Sequence, residues 1–224
     1  MKRFRMERRG DDAELFIYDQ IGEDFFGGVS SKSLYEDLKA VGQVKNLTVR
    51  INSGGGDVFE GFAMYNHIRN ADAQSVTVKI DALAASAASM IAMAGNDIEI
   101  AGNAYIMIHN PWGFAMGDYR TMDEQASLLR QITDTSANIY ADKTGLTVDA
   151  IKELMDAETW MDAVESVDHG FATRAVDELK VAANLDMTRF PNAPKKLRRA
   201  ADPNIIPAKL ASMRRRLDSV KARD

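Results

Sequence analysis

The chain has 224 residues, 46% of them apolar, a formal net charge of −5 and no cysteine. That length suffices for one domain with a sizeable core plus an appendage. The missing cysteine excludes disulfide frameworks, thiol catalysis and cysteine-ligated metal, and fits a reducing, cytoplasmic setting.

The charge is unevenly spread: residues 189–224 carry 11 Lys/Arg against 3 Asp, a net +8, which leaves −13 for residues 1–188 (17 Lys/Arg against 30 Asp/Glu). An acidic body, 1–188, followed by a basic tail, 189–224, is the expected organisation. The opening MKRFRMERRG is basic but has no apolar run behind it, so neither a secretion signal nor a membrane span is expected.

Residues 14–18 (ELFIY) predict a strand, and residues 31–41 an amphipathic helix with Leu34, Leu38 and Val41 on one face and a serine as N-cap. A second strand, 46–51 (NLTVRI), runs into Asn52-Ser53-Gly54-Gly55-Gly56-Asp57, after which Phe62, Tyr65 and Ile68 mark a helix. Consecutive glycines between strand and helix permit backbone angles closed to other residues and let another chain approach the bare N–H groups. The Lys-Ser/Thr ending of a P-loop and the spacing of a dinucleotide fingerprint are both absent. A tight turn or an oxyanion-type amide donor remains.

Residues 80–95 (IDALAASAASMIAMAG) carry no charge after Asp81, and place Ser86 and Ser89 among Ala, Met and Gly. A buried hydroxyl without a partner costs about 1–3 kcal/mol, so each serine needs a reason to be there. Either the serines bond back to a carbonyl one turn earlier in a core helix, or one of them is a nucleophile. Residues 76–80 (VTVKI) alternate as a strand and 90–94 read as a buried helix start. Ser89 then falls near a strand-to-helix turn, where free N–H groups offer an oxyanion site.

Residues 97–100 (DIEI) and 104–108 (AYIMI) predict short strands, the second entering His109-Asn110-Pro111-Trp112-Gly113. Residues 118–143 predict a long polar helix containing Leu128, Leu129, Ile132, Ile139 and Tyr140, a candidate arm for packing against another subunit. A helix over 148–155 follows Thr147, and Asp162 with Glu165 has the spacing of a capping box. Strands alternating with helices at this interval favour an α/β fold. Of the three histidines, His67 lies on a helix and His169 at a helix C-terminus, whereas His109 stands where a buried strand enters a loop, as a general base would.

Strand-Asn-Ser-Gly-Gly-Gly, Ala-Ala-Ser-Met, Met-Ile-His-Asn-Pro and an acidic residue before Trp-Met-Asp-Ala follow one another in an order that resembles the Clp protease proteolytic subunit (ClpP) family of serine peptidases. The resemblance spans about residues 15–178. It implies the ClpP/crotonase-like spiral of β-β-α units with a protruding handle helix at about 113–145. It also implies Ser89 as nucleophile, His109 as base, Gly55 and Met90 as oxyanion amides, and Gly54, Gly56, Trp112 and Gly113 along the substrate. Alignment on Trp160–Ala163 lands the triad acid on Glu158, with Asp156 as the alternative. The proline of the family's Ser-Pro-Gly-Gly turn is Gly54 here, and the glycine after its Ser-Met is Ile91.

No cofactor or metal is implied. The implied partners are a protein or peptide substrate and further copies of the chain, as heptameric rings stacked as a tetradecamer, while dependence on an ATP-driven unfoldase stays open. The basic start and Arg-rich tail look like those of ClpP-like head-maturation proteases of tailed phages and prophages, which process scaffold or capsid precursors. That would place the chain in the bacterial cytoplasm or inside a procapsid, acting without ATP. Nucleic acid is a weaker match to the basic tail than an acidic assembly partner. The rival readings are a crotonase-type acyl-CoA enzyme, a membrane-linked peptidase with a serine–lysine dyad, and an inactive assembly ring.

Overall fold

The computed structural model describes residues 5–22, 28–178, 190 and 192–194. The chain divides into two compact units, Met1–Leu185 and Asp186–Asp224. In the second, the Ala193 N–H donates to the Phe190 carbonyl at 3.3 Å. The Arg/Lys runs of the tail, and the basic residues before Arg5, lie outside the described residues.

The first unit is built on one sheet. Strands β1 (Arg5–Arg9) and β2 (Asp12–Ile17) form an antiparallel hairpin at its edge; β2, β3 (Val44–Ser53), β4 (Ala73–Ala85), β5 (Asp97–Ala101) and β8 (Arg174–Val176) then run parallel. Strand β6 (Tyr105–Ile108) pairs with β4 in parallel, and β7 (Thr159–Met161) pairs antiparallel with β6. Alternation sets the faces: Leu15, Leu47, Val49, Val78 and Ile98 are buried in the core with Met64, Ile68 and Ile91.

The opposite face is polar and internally paired. Arg50 holds Asp81 with Nε–Oδ2 at 2.8 Å and Nη2–Oδ1 at 2.6 Å, Tyr18 donates to the same carboxylate, and Lys79 pairs with Glu99 at 3.0 Å. Burial, with the Asp81 charge, pushes the Tyr18 hydroxyl up to about 12. This pairing corrects the strand predicted over 76–80. A charge at Asp81 does not end β4, because Arg50 and Tyr18 satisfy it inside the sheet, so the strand continues to Ala85.

Helix α1 (Ser31–Val41) starts where the Ser30 side chain accepts from the Ser33 N–H, and α2 (Val58–Arg69) where Asp57 accepts from the Phe59 and Glu60 N–H groups. Helix α3 (Ala87–Ala92) is short and wholly buried. The predicted arm is α4 (Tyr119–Thr144), capped by Asp118 and closed by Gly145 at φ 77°. Its buried residues, Ile132, Ser136, Ala137 and Tyr140, all lie in its C-terminal half, while Tyr119, Met122 and Leu128 are exposed. Helices α5 (Val148–Asp156) and α6 (Ala163–Asp168) complete the unit, the latter with both halves of the Asp162–Glu165 capping box formed. Among the described residues no helix is long and apolar enough to cross a membrane.

Candidate active site

The site lies where β4 and β6 end side by side. Strand β4 pairs with β5 through Ile80 and then with β6 from Leu83 to Ala85, whose partner is Met107. This fork carries the first residue after β4 and the first residue after β6 to the same place. The Ser86 N–H donates to the Met107 carbonyl at 2.9 Å, and the His109 Nε2 lies 2.8 Å from Ser86 Oγ.

Ser86 is the N-cap of α3 with φ 55° and ψ −128°, one of two non-glycine residues with positive φ among the described residues; the other is Glu158, at φ 49°. Such a conformation costs about 1–3 kcal/mol and persists where surrounding contacts over-determine it, most often at functional sites. A sharp strand-to-helix turn that presents a serine hydroxyl to an imidazole is the arrangement used by hydrolases with a serine nucleophile.

This geometry corrects the expectation for Ser89. Ser89 is fully buried, one turn into α3, and its Oγ contacts the Ser86 carbonyl at 2.6 Å and the Tyr140 hydroxyl at 2.8 Å. His109 is brought to Ser86, and Ser89 takes the core-helix role of bonding back to a carbonyl. The expectation for Met90 changes with it. Met90 is next to Ser89, whereas the amide next to Ser86 is that of Ala87, the first residue of α3, in the turn whose amides have no partner within the helix.

Gly55 is where the glycine turn meets this elbow. It has φ 83°, and a Cβ built there would stand 2.6 Å from the Ala85 carbonyl oxygen, 2.7 Å from Ser86 Cβ and 3.0 Å from the Ala87 nitrogen. Its carbonyl accepts from the Ile21 N–H at 3.0 Å, and its N–H donates to Ser53 Oγ at 3.2 Å. Gly56 is bridged to Ile21, whose backbone fills the space a side chain would need. Gly54 is half-buried beside them. Trp112 and Gly113 lie on the loop after β6, with Trp112 59% exposed and edge-on to Phe114 at 5.6 Å.

The acidic candidates differ in environment. The last β6–β7 pair is Ile108 with Thr159, and His109 and Glu158 are the residues that flank this pair in the chain. The Trp160 indole N–H donates to Glu158 Oε1 at 3.2 Å. Asp156 is exposed, and its Oδ1 accepts from the Asn110 side chain at 2.6 Å. His67 packs against the Tyr35 ring at 5.2 Å, and His169 caps α6; neither meets the serines. Among the described residues no group of three or more His, Asp or Glu is placed to hold a metal ion.

The comparisons with known proteins agree with this architecture. Residues 5–178 match the family model for Clp protease. The chain therefore belongs to the Clp protease family. It is 28% identical over 176 residues to the ATP-dependent Clp protease proteolytic subunit 1 of Leifsonia xyli, an alignment covering 78% of this chain and 86% of that protein. A mutant of ClpP1 from Listeria monocytogenes superposes with a TM-score of 0.65 at 21% identity, over 74% of this chain and 91% of that one, which shows the shared mixed α/β fold.

Proposed function

We propose that this protease is a serine endopeptidase whose nucleophile is Ser86, with His109 as general base. The observation that carries the reading is the 2.8 Å contact between Ser86 Oγ and His109 Nε2 on a positive-φ elbow. His109 takes the hydroxyl proton as Ser86 Oγ attacks the scissile carbonyl, then delivers it to the leaving amine. A water activated by the same imidazole releases the acyl group. The developing oxyanion is met by the Ala87 N–H, next to the nucleophile, and by the Gly55 N–H once it turns from Ser53 Oγ. One such donor is worth about 10²–10³ in rate.

Glu158 orients His109 in this scheme, supported by the place of both residues directly beside the last β6–β7 pair and by the positive φ of Glu158. Glu158→Gln is expected to lower peptide hydrolysis by roughly 10²–10⁴-fold, as loss of the imidazole's carboxylate does. Asp156→Asn should cost far less. The opposite order of rates in two folded variants would transfer the role to Asp156.

The natural substrate proposed is a scaffold or capsid precursor, cleaved without ATP by a homo-oligomeric ring in the bacterial cytoplasm or a procapsid. The exposed apolar residues on the outer half of α4 support the assembly, and the basic tail supports an acidic protein partner. The relative's name favours a second reading, a proteolytic subunit serving an ATP-dependent unfoldase. A fluorophosphonate probe should form an adduct that peptide mass spectrometry locates on Ser86. No adduct on an assembled protein, sized by light scattering, would overturn the peptidase reading. Digestion of folded precursor proteins in the absence of nucleotide supports the first substrate class, and digestion only with ATP and an unfoldase supports the second.

A further inference from the structure

Ser86 must be held in a conformation it would not choose, and the contacts that hold its carbonyl come from Ser89. The Ser86 oxygen accepts from the Ser89 N–H at 2.9 Å and from Ser89 Oγ at 2.6 Å. A carbonyl only accepts, so the single hydroxyl proton of Ser89 is committed to it. The 2.8 Å contact between Ser89 Oγ and the Tyr140 hydroxyl then has Tyr140 as donor. The result is a directed chain from the Tyr140 O–H to Ser89 Oγ and from the Ser89 O–H to the Ser86 carbonyl.

Tyr140 is 2% exposed, and its ring packs on Phe171 at 5.6 Å. Burial pushes its hydroxyl well above the ordinary tyrosine range, so it stays a proton donor throughout the working pH range. One turn further along α4, the Lys143 Nζ donates to the Gly95 carbonyl at 2.6 Å and to the Asn96 carbonyl at 3.3 Å. The base of the arm helix therefore grips the 86–96 segment at both ends.

We propose that Tyr140 is a positioning residue for the nucleophile, acting through Ser89 to fix the Ser86 carbonyl and so aim Ser86 Oγ at His109. This rests on the reading of Ser86 as nucleophile. It gives the arm helix a part in catalysis separate from any part in assembly, because Tyr140 and Lys143 lie in its packed half.

Tyr140→Phe keeps the ring and removes only the hydroxyl, and Ser89→Ala removes the link. Each is expected to lower kcat and the rate of fluorophosphonate labelling by about tenfold with KM within about twofold, since misplacing a reacting group by an ångström costs up to about 10²-fold. The double variant should be no slower than the slower single one, because the pair acts as one unit. A merely structural hydroxyl would lower the melting temperature and leave kcat per titrated site unchanged. Wild-type kcat in folded Tyr140→Phe, or losses that multiply in the double variant, would overturn the proposal. If Ser89→Ala does not fold, Tyr140→Phe alone decides it. Failure of the underlying reading is distinct, since it would appear as wild-type protein that acquires no adduct on Ser86.

Discussion

Ser86→Ala is expected to reduce peptide hydrolysis by roughly 10³-fold or more and to abolish fluorophosphonate labelling, because members of a serine triad act as a unit. Ser89→Ala should still take up the label, about tenfold more slowly, and lose only about tenfold in kcat. The two serines are three residues apart and could hardly differ more in setting. Ser86 is half-buried with its hydroxyl on His109, while Ser89 is sealed in the core with its hydroxyl spent on the Ser86 carbonyl. His109→Ala should match Ser86→Ala, since a serine hydroxyl is a poor nucleophile without a base to take its proton. The measurement is kcat on a short fluorogenic peptide, with folding checked by circular dichroism. Activity lost in Ser89→Ala and retained in Ser86→Ala, both folded, would return the nucleophile to Ser89.

That the motif selects Ser89 while the fold brings Ser86 to His109 has a physical origin. Ala-Ala-Ser occurs twice in succession, at 84–86 and 87–89, and only the second copy is followed by methionine. A motif match therefore chooses Ser89. The signal that favours Ser86 is the length of β4, which was obscured by Asp81, a charge that ordinarily marks the end of a buried strand. That charge is paired by Arg50, 31 residues away in the chain, and accepts a hydrogen bond from Tyr18, 63 residues away. Long-range pairing of this kind leaves no local trace. The elements whose determinants are local were legible: α1, α4, α5 and α6 begin at or within a residue of where their capping side chains predict. Strands β7 and β8 were missed, being three residues long with too little alternation to register. Strand β1 hides in a run of charges and owes its existence to pairing with β2.

Gly55→Ala should damage both stability and catalysis, although it removes no functional group. Gly55 sits at φ 83°, where a residue with a Cβ is strained by about 1–2 kcal/mol. The added methyl meets backbone: the Ala85 carbonyl oxygen at 2.6 Å and the Ala87 nitrogen at 3.0 Å, with Ser86 Cβ at 2.7 Å. No rotamer change relieves contacts of that kind, and overpacking typically costs a further 1–3 kcal/mol or so. Movement is confined on both sides. The turn is tied to Ile21 through the Gly55 carbonyl and the Gly56 bridge, and the elbow is tied to Met107 and Ser89. Whichever side yields, the Gly55 N–H and the Ser86 hydroxyl lose their relative placement, so kcat should fall by about 10²-fold or more through loss of an aligned oxyanion donor. The melting temperature should fall with it. Unaltered kcat in a folded Gly55→Ala variant would mean that the glycine turn is no part of the catalytic apparatus. A variant with normal labelling by the small probe but no hydrolysis of longer peptides would mean that the turn forms only the substrate channel.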